Sequence, residues 1–427
     1  MQRPPPLFPL LLLLLAMWSG GVHAAEVVVW HGYRAAERTA LEKAVAAYNT
    51  TRGGSGTRVK LLAIPSDAFT DKISATLSRG VGPDVFVFPQ DRLGGWVEGG
   101  ALLEPLDFLL EPEVRQRYVP GTLEAMTYRG SVYALPLDFK AITLLYNKKL
   151  MPTPPRTTGE MIAACKALRA KTPDKSSVCL AYPYTDFYYH AALMHAFGGR
   201  VFDPGPQVTL NAPENVRSLE LLLRWTSQEG LLPAEPSTAL VTSLFNEGKA
   251  ALVFSGPWFV GEIAPGIDYG LAPLPTVDEA GGRPLRPWMT VEGVGISSHS
   301  GNKDAAYDFV RYLTGPEGAR IMATEGRQNP ALASIYEDKK VSADPVLSAI
   351  REQAKTALPM PNLPEMTMVW SPATSAMNAV LHKLATPKAA LDEAQRTVQK
   401  GMAALRRGAG TPAKVPEKAP APAPKKP

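Results

Sequence analysis

The chain has 427 residues, 45% of them hydrophobic and 20% charged, which is enough apolar material for two domains with substantial cores. Its formal net charge is +5, but Arg3 together with Lys414, Lys418, Lys425 and Lys426, set against Glu417, carries most of that excess at the two ends. The near-neutral remainder gives no electrostatic reason to expect a nucleic-acid partner.

Arg3 precedes a leucine-rich apolar block from Leu7 to Met17, followed by Ser19-Gly20-Gly21-Val22-His23-Ala24. A block this short does not comfortably span a bilayer, and with small residues after it, 1–24 reads as a secretory signal cut after Ala24. No cysteine stands near the cut to carry a lipid anchor, and no later segment is apolar enough for a transmembrane helix, so an exported protein is expected. At the other end, 410–427 consists mainly of Pro, Ala and Lys, too poor in apolar bulk to fold, and reads as a disordered spacer.

Glu26-Val27-Val28-Val29-Trp30 is a short strand, and His31-Gly32-Tyr33-Arg34 turns into a helix on which Leu41, Val45 and Tyr48 recur at helical spacing. A second strand, Arg58 to Ala63, leads to a helix from Ala68 to Leu77, and Gly82-Pro83-Asp84 opens a third, Val85 to Phe88. Pro89-Gln90-Asp91-Arg92 then starts a helical turn. The alternation implies a doubly wound, mainly parallel sheet flanked by helices. Ligands of such sheets bind in the crevice at the carboxyl ends of the strands, where Arg34, Asp91 and Arg92 fall.

Gly130 to Pro136 reads as a hairpin arm leading through Leu137-Asp138-Phe139-Lys140 into a strand from Ala141 to Tyr146, the first passage between two lobes. Residues 147–200 give a helix, a strand at Cys179, an aromatic-rich loop from Tyr182 to Tyr189 and a helix ending at Gly198-Gly199. Cys165 lies on the helical stretch Met161 to Arg169. In an oxidising compartment Cys165 and Cys179 form a helix–strand disulfide; otherwise they are two buried thiols. Two cysteines without clustered histidines fall short of a zinc set, and no metal or cofactor is expected.

Pro213 to Gln228 is a helix with Leu219, Leu222, Leu223 and Trp225 inward. The apolar run Ala250 to Phe254 then stops at Ser255-Gly256-Pro257 and hands over to Trp258. Such a run closed by Gly-Pro reads as a buried parallel strand, which makes Trp258 either a core residue or a flat platform for a ligand. Gly293 to Ile296 returns to the first lobe, and from about Ala333 the chain goes back to the second. The expected division is 26–138 with 293–333 against 139–292 with 334–409, joined by hinge crossovers.

Trp30-His31-Gly32, Gly82-Pro83-Asp84-Val85, Asp91-Arg92-Leu93-Gly94-Gly95, Tyr146-Asn147-Lys148, Phe245-Asn246-Glu247-Gly248-Lys249-Ala250-Ala251, Ser255-Gly256-Pro257-Trp258 and Met360-Pro361-Asn362-Leu363-Pro364 follow one another in that order. In this order they resemble the periplasmic maltose/maltodextrin-binding branch of ABC-importer solute-binding proteins, over about Glu26 to Leu405. The resemblance implies two α/β lobes, acting as a monomer, that close on an oligosaccharide and deliver it to a membrane permease. It places the sugar-stacking aromatics on Tyr188, Trp258 and Trp370, whose flat faces would cover the C–H faces of pyranose rings. Asp91, Arg92 and Asp186 take the hydroxyl-binding positions, with Arg34 where a lysine is usual. Core packing for Tyr188 and Trp370, and a helix cap for Asp91, are the structural counterparts of these roles.

This chain departs from that pattern at four positions. Lys140 stands where a sugar-contacting glutamate is usual, Phe88 replaces a tryptophan, and Ser371 and Thr374 replace a tyrosine and an arginine. Lysine only donates hydrogen bonds, so Lys140 either addresses different hydroxyls or pairs with Asp138 or another carboxylate of the site. The departures leave a sugar ligand standing and open its identity to trehalose or another disaccharide. A polyamine fits less well, because Arg34, Arg92 and Lys140 would repel a polycation. A glycoside hydrolase needs two carboxylates at a fixed separation; Asp91, Asp138, Asp186 and Glu292 have simpler roles as hydroxyl acceptors, and no nucleophile motif accompanies them.

Overall fold

The computed structural model describes residues 25–409 apart from 53–55, 101, 111, 172–176 and 205–206, so the signal segment and the Pro/Ala/Lys tail lie outside the described residues. The first strand, β1 (Ala25–His31), feeds helix α1 (Ala35–Arg52). That helix buries Ala40, Leu41, Ala44, Val45 and Tyr48 as one stripe and carries Glu37 in its first turn and Arg52 in its last, which suits the helix dipole. Strands β2 (Thr57–Ala63) and β3 (Val85–Pro89) run parallel to β1, one on each side.

Strand β4 (Ala134–Lys140) is buried along its whole length, and after Ala141-Ile142 the chain enters a different sheet as β5 (Thr143–Asn147). There follow α2 (Thr158–Lys171), β6 (Val178–Ala181), α3 (Phe187–Ala196) and β7 (Ala250–Ser255). Every residue of β7 is buried, as its apolar run requires. It passes directly into the short helix α4 (Pro257–Val260), with the proline at the first helical position, where a missing N–H costs nothing. Strand β8 (Tyr269–Ala272) completes this sheet, in the order β8-β5-β7-β6.

The return strand β9 (Trp288–Ile296) inserts between β3 and β4, antiparallel to both. With β10 (Asn329–Pro330) on β4 and β11 (Leu358–Pro359) on β9, the first sheet has seven strands in the path β10-β4-β9-β3-β1-β2. Strands β1 to β4 therefore point one way and β9 comes back against them. In the second sheet β6 and β7 are parallel, β5 is antiparallel to β7, and β8 is antiparallel to β5. This is the α/β two-lobed architecture read from the sequence, with one reversed strand in the middle of each sheet. Two separate cores accompany the two sheets: Val27, Val29, Leu41, Val85 and Val294 belong to one, and Leu144, Leu180, Trp225 and Leu252 to the other.

Cys165 of α2 and Cys179 of β6 are joined by a disulfide. The bridge closes a sequence separation of 14 residues between the helix and the strand. Closing a loop of that size restricts the unfolded chain by about 3 kcal/mol. Cys165→Ser with Cys179→Ser should lower the unfolding free energy by about that amount, read in urea titrations with and without reductant. A double variant as stable as the oxidised wild type would contradict it.

His190 of α3 is buried, with Nε2 3.0 Å from the Ser218 hydroxyl. Burial, helped by the nearby His195, pushes its pKa down to about 3. The unfolded chain takes up this proton first, so His190 erodes stability as pH falls from about 6.5 towards 3. Relative to His190→Gln, the wild type should lose about 3 kcal/mol between pH 7 and pH 4, at 1.36 kcal/mol per pH unit. Parallel pH profiles for the two proteins would refute this.

Candidate functional site

The carboxyl ends of the first sheet face the second lobe, and two motifs distant in sequence meet there. Gly94 N–H donates to the Asn362 carbonyl at 3.1 Å, and a side chain at Gly94 would collide with that carbonyl and with Pro364. Gln90 fixes the same junction: its amide nitrogen donates to the Met360 carbonyl at 2.6 Å and its oxygen accepts from Val291 N–H. Asn362 in turn donates to the Ala125 and Thr127 carbonyls.

Asp91 is buried at this junction and accepts from Trp370 Nε1 at 3.2 Å, across the lobes. Arg92 Nε lies 3.2 Å from the same oxygen, Oδ2, as an ion pair. Burial pushes the Asp91 carboxyl up, with Arg92 and Trp370 pulling against it. Trp370 opens helix α5 (Trp370–Leu381), and Ser371 and Thr374 follow within its first two turns. Asp91 does not cap the turn that follows it, whereas Asp186 does cap α3, accepting from Tyr188 N–H at 2.9 Å.

The aromatics gather on the second lobe. Tyr188 and Trp258 are half-buried neighbours with ring centroids 6.3 Å apart. A side chain at Gly256 would strike the Trp258 ring, so that glycine lets the ring fold back over the end of β7. The Tyr188 hydroxyl is 3.2 Å from Thr290 Oγ1. Trp370 joins the group through Trp288, which is buried at the start of β9 and lies 5.4 Å from Trp370 and 6.1 Å from Tyr188. Trp288 was not singled out from the sequence, where nothing in Arg286-Pro287-Trp288 distinguishes it from a core residue.

Two cavities flank Trp258, each of about 270 Å³. The inner one is lined by Tyr33, Glu37, Arg92, Lys140 and Glu292 of the first sheet and its helices, with Trp258 opposite. The outer one lies between the start of α1, the end of the helix Pro316–Gly326 and residues 257–262. Arg34, Glu37 and Trp258 belong to both, and an Arg34–Glu262 ion pair of 3.2 Å spans the lobes between them. A larger cavity of about 550 Å³ sits at the opposite end of α1, around Arg52, Tyr118 and Tyr312, away from the second lobe's aromatics.

Lys140 is buried on the inner cavity's floor. Its Nζ lies 2.8 Å from Glu37 Oε1 and 2.9 Å from Glu292 Oε2, and 5.0 Å from the centre of the Tyr33 ring. Tyr33 donates to Asp138 Oδ2 at 3.1 Å. Burial pushes the Lys140 ammonium down, but Glu292, Glu37 and Asp138 outweigh it and hold its pKa well above the usual lysine value. Burial drives the Asp138 carboxyl well up, with Lys140 and the Tyr33 hydrogen bond pulling against it.

The structure brings Arg34, Arg92, Lys140 and Trp258 to the cavities described above, with Tyr188 beside Trp258 and with Asp91 and Trp370 paired at the adjoining junction. Phe88 does not belong there and is a correction. Alternation along β3 turns Val87 and Pro89 to the cavity and Phe86 and Phe88 to the core, where Phe88 packs against Trp96 at 5.1 Å. Lys140 pairs with carboxylates, the second of its two sequence readings. Tyr33 and Glu37 were missed; their signal was position alone, flanking Arg34 at the strand-to-helix turn. Among the described residues, no group of three or more His, Cys, Asp or Glu is placed to hold a metal ion, and no helix is long and apolar enough to cross a membrane.

Two α/β lobes, with aromatic faces on one and paired charges on the other, define a cleft-type solute-binding protein. The family model for bacterial extracellular solute-binding proteins matches residues 33–320, and this chain belongs to that family. It is 29% identical over 388 residues to the maltotriose-binding protein of Pyrococcus abyssi, covering 89% of this chain and 83% of the relative. It is 28% identical over 389 residues to the galactooligosaccharide-binding protein of Bacillus subtilis, covering 88% of this chain and 89% of the relative. In fold it resembles the Thermus thermophilus maltotriose-binding protein bound with maltotriose, with a TM-score of 0.79 at 24% identity over 88% of this chain and all of the other. A cyclo/maltodextrin-binding protein complexed with maltotetraose is similar at a TM-score of 0.74 and 29% identity, over 88% of this chain and 97% of the other.

Proposed function

We propose that this protein is the capture component of an ABC sugar importer, holding a maltodextrin-type oligosaccharide between its lobes and handing it to a membrane permease. The carrying observation is that half-buried Trp258, with Tyr188 beside it, faces the charged group Arg92, Glu37 and Glu292 across one cavity. Flat aromatic faces cover pyranose C–H surfaces, while charged groups form the stronger hydrogen bonds to hydroxyls. Relatives named for maltotriose and maltodextrin support this ligand class, and one named for galactooligosaccharides matches over 88% of the chain. The protein acts as a monomer, exported with cleavage after Ala24, and without catalysis.

We take the hinge to be the connections 141–142 and 273–287, which link strands of the two sheets, together with 331–344, which leads from β10 to a helix packed on the second sheet. The closed state is favoured only by contacts made across the cleft, and the Arg34–Glu262 pair must part for a ligand to enter. Titration calorimetry with glucose, maltose, maltotriose, trehalose and spermidine tests the reading. Micromolar or tighter binding of an oligosaccharide is the expected result; no heat from any saccharide would sink it. New reducing ends on incubation with maltodextrin would replace it with a hydrolase.

A further inference from the structure

We propose that Glu37 and Glu292 are hydroxyl acceptors of the cleft, and that Lys140 is the positioning residue that holds both of them rather than a donor to the ligand. This rests on the saccharide reading above. An ammonium has three hydrogens and no lone pair, and Lys140 directs its charge at Glu37 Oε1 and Glu292 Oε2, at 2.8 and 2.9 Å. Only 7% of its side chain is exposed. Each carboxylate offers about four acceptor sites, so one contact with Lys140 leaves Glu37 and Glu292 with capacity for ligand hydroxyls. Both line the cavity that faces Trp258.

The charges lead the same way. Glu37 and Glu292 both pair with one ammonium, and Asp138 lies close behind it on the Tyr33 hydroxyl, so carboxyl groups outnumber the positive charge there. A buried cluster with that excess gains from neutral donors, and sugar hydroxyls supply them without adding charge. Arg92, on the same cavity, provides the complementary donors. The glutamate that the family resemblance places at position 140 would have entered the cleft from β4. In this chain the acceptors enter from α1 and β9 instead, so they address hydroxyls on a different side of the sugar.

The test uses the mature protein with maltotriose as probe, in Glu37→Gln, Glu292→Gln, Lys140→Arg and the wild type. Losing a charged acceptor should weaken binding about 10-fold or more in each glutamine variant. Because either change relieves the carboxylate excess, the thermal midpoint should stay level or rise. Lys140→Arg, which can still hold both carboxylates, should retain more affinity than either. If the glutamates only support the fold, the midpoint falls while affinity is unchanged, and the inference is overturned. Wild-type protein that binds no saccharide at all would instead remove the functional reading beneath it.

Discussion

Lys140→Met is expected to cost the fold about 3–5 kcal/mol at pH 7, because it strands Glu37 and Glu292 in a buried setting without their ammonium. Only 12% and 17% of the two glutamate side chains are exposed, so water from the cavity restores only part of the lost pairing. The pH dependence identifies the cause. In the wild type the raised Lys140 pKa means that the cluster's stabilisation is complete below the unfolded lysine value of about 10.4 and is lost only as pH rises through the higher folded one. In the variant two carboxylate charges with little exposure are left side by side without a counter-ion. Their penalty is greatest at neutral pH and is relieved as pH falls and they take up protons. Urea unfolding at pH 7 and pH 5 should show the deficit shrinking on acidification. A deficit that does not change with pH would mean lost packing, not stranded charge.

The second large effect separates two tryptophans of one cluster. Trp288 is 2% exposed and touches Phe187, Tyr188, His195 and Trp370, so Trp288→Ala should remove about 3–5 kcal/mol of stability through the cavity it leaves. Trp258 is only half buried and faces both cleft cavities. Trp258→Ala should weaken oligosaccharide binding by about 1–3 kcal/mol and leave the unfolding transition close to wild type. Paired thermal melts and calorimetric titrations check both. If Trp258→Ala unfolds the second lobe while Trp288→Ala does not, the assignment of platform and core is reversed.

Much of this site could be read along the chain because each motif ends a strand. The buried run Ala250 to Phe254, stopped by Gly256 and Pro257, delivers Trp258 to the cleft rim, and the β3 exit delivers Asp91 and Arg92. Phe88 went astray although it is only three residues before Asp91. Strand alternation has a period of two, so one position decides between cleft and core, and an apolar strand buried on both faces hides which is which. Trp288 escaped notice for the converse reason: its importance comes from α3 and α5 packing on either side of it, and those contacts are far apart in sequence.

Local chemistry along the chain determines the α/β class, the strand-and-helix order, and which aromatic and charged residues stand at strand ends, while the bond between Cys165 and Cys179 is settled by the structure. Those depend on periodicity, turn residues and composition, which act over a few neighbours. Only the tertiary structure decides what the charges do. The α1 helix carries Glu37 towards the end of β4, and β9 inserts beside it with Glu292, so Lys140 meets two carboxylates from elements 103 and 152 residues away. Burial then makes that pairing compulsory, since an isolated charge there would be far costlier than a paired one.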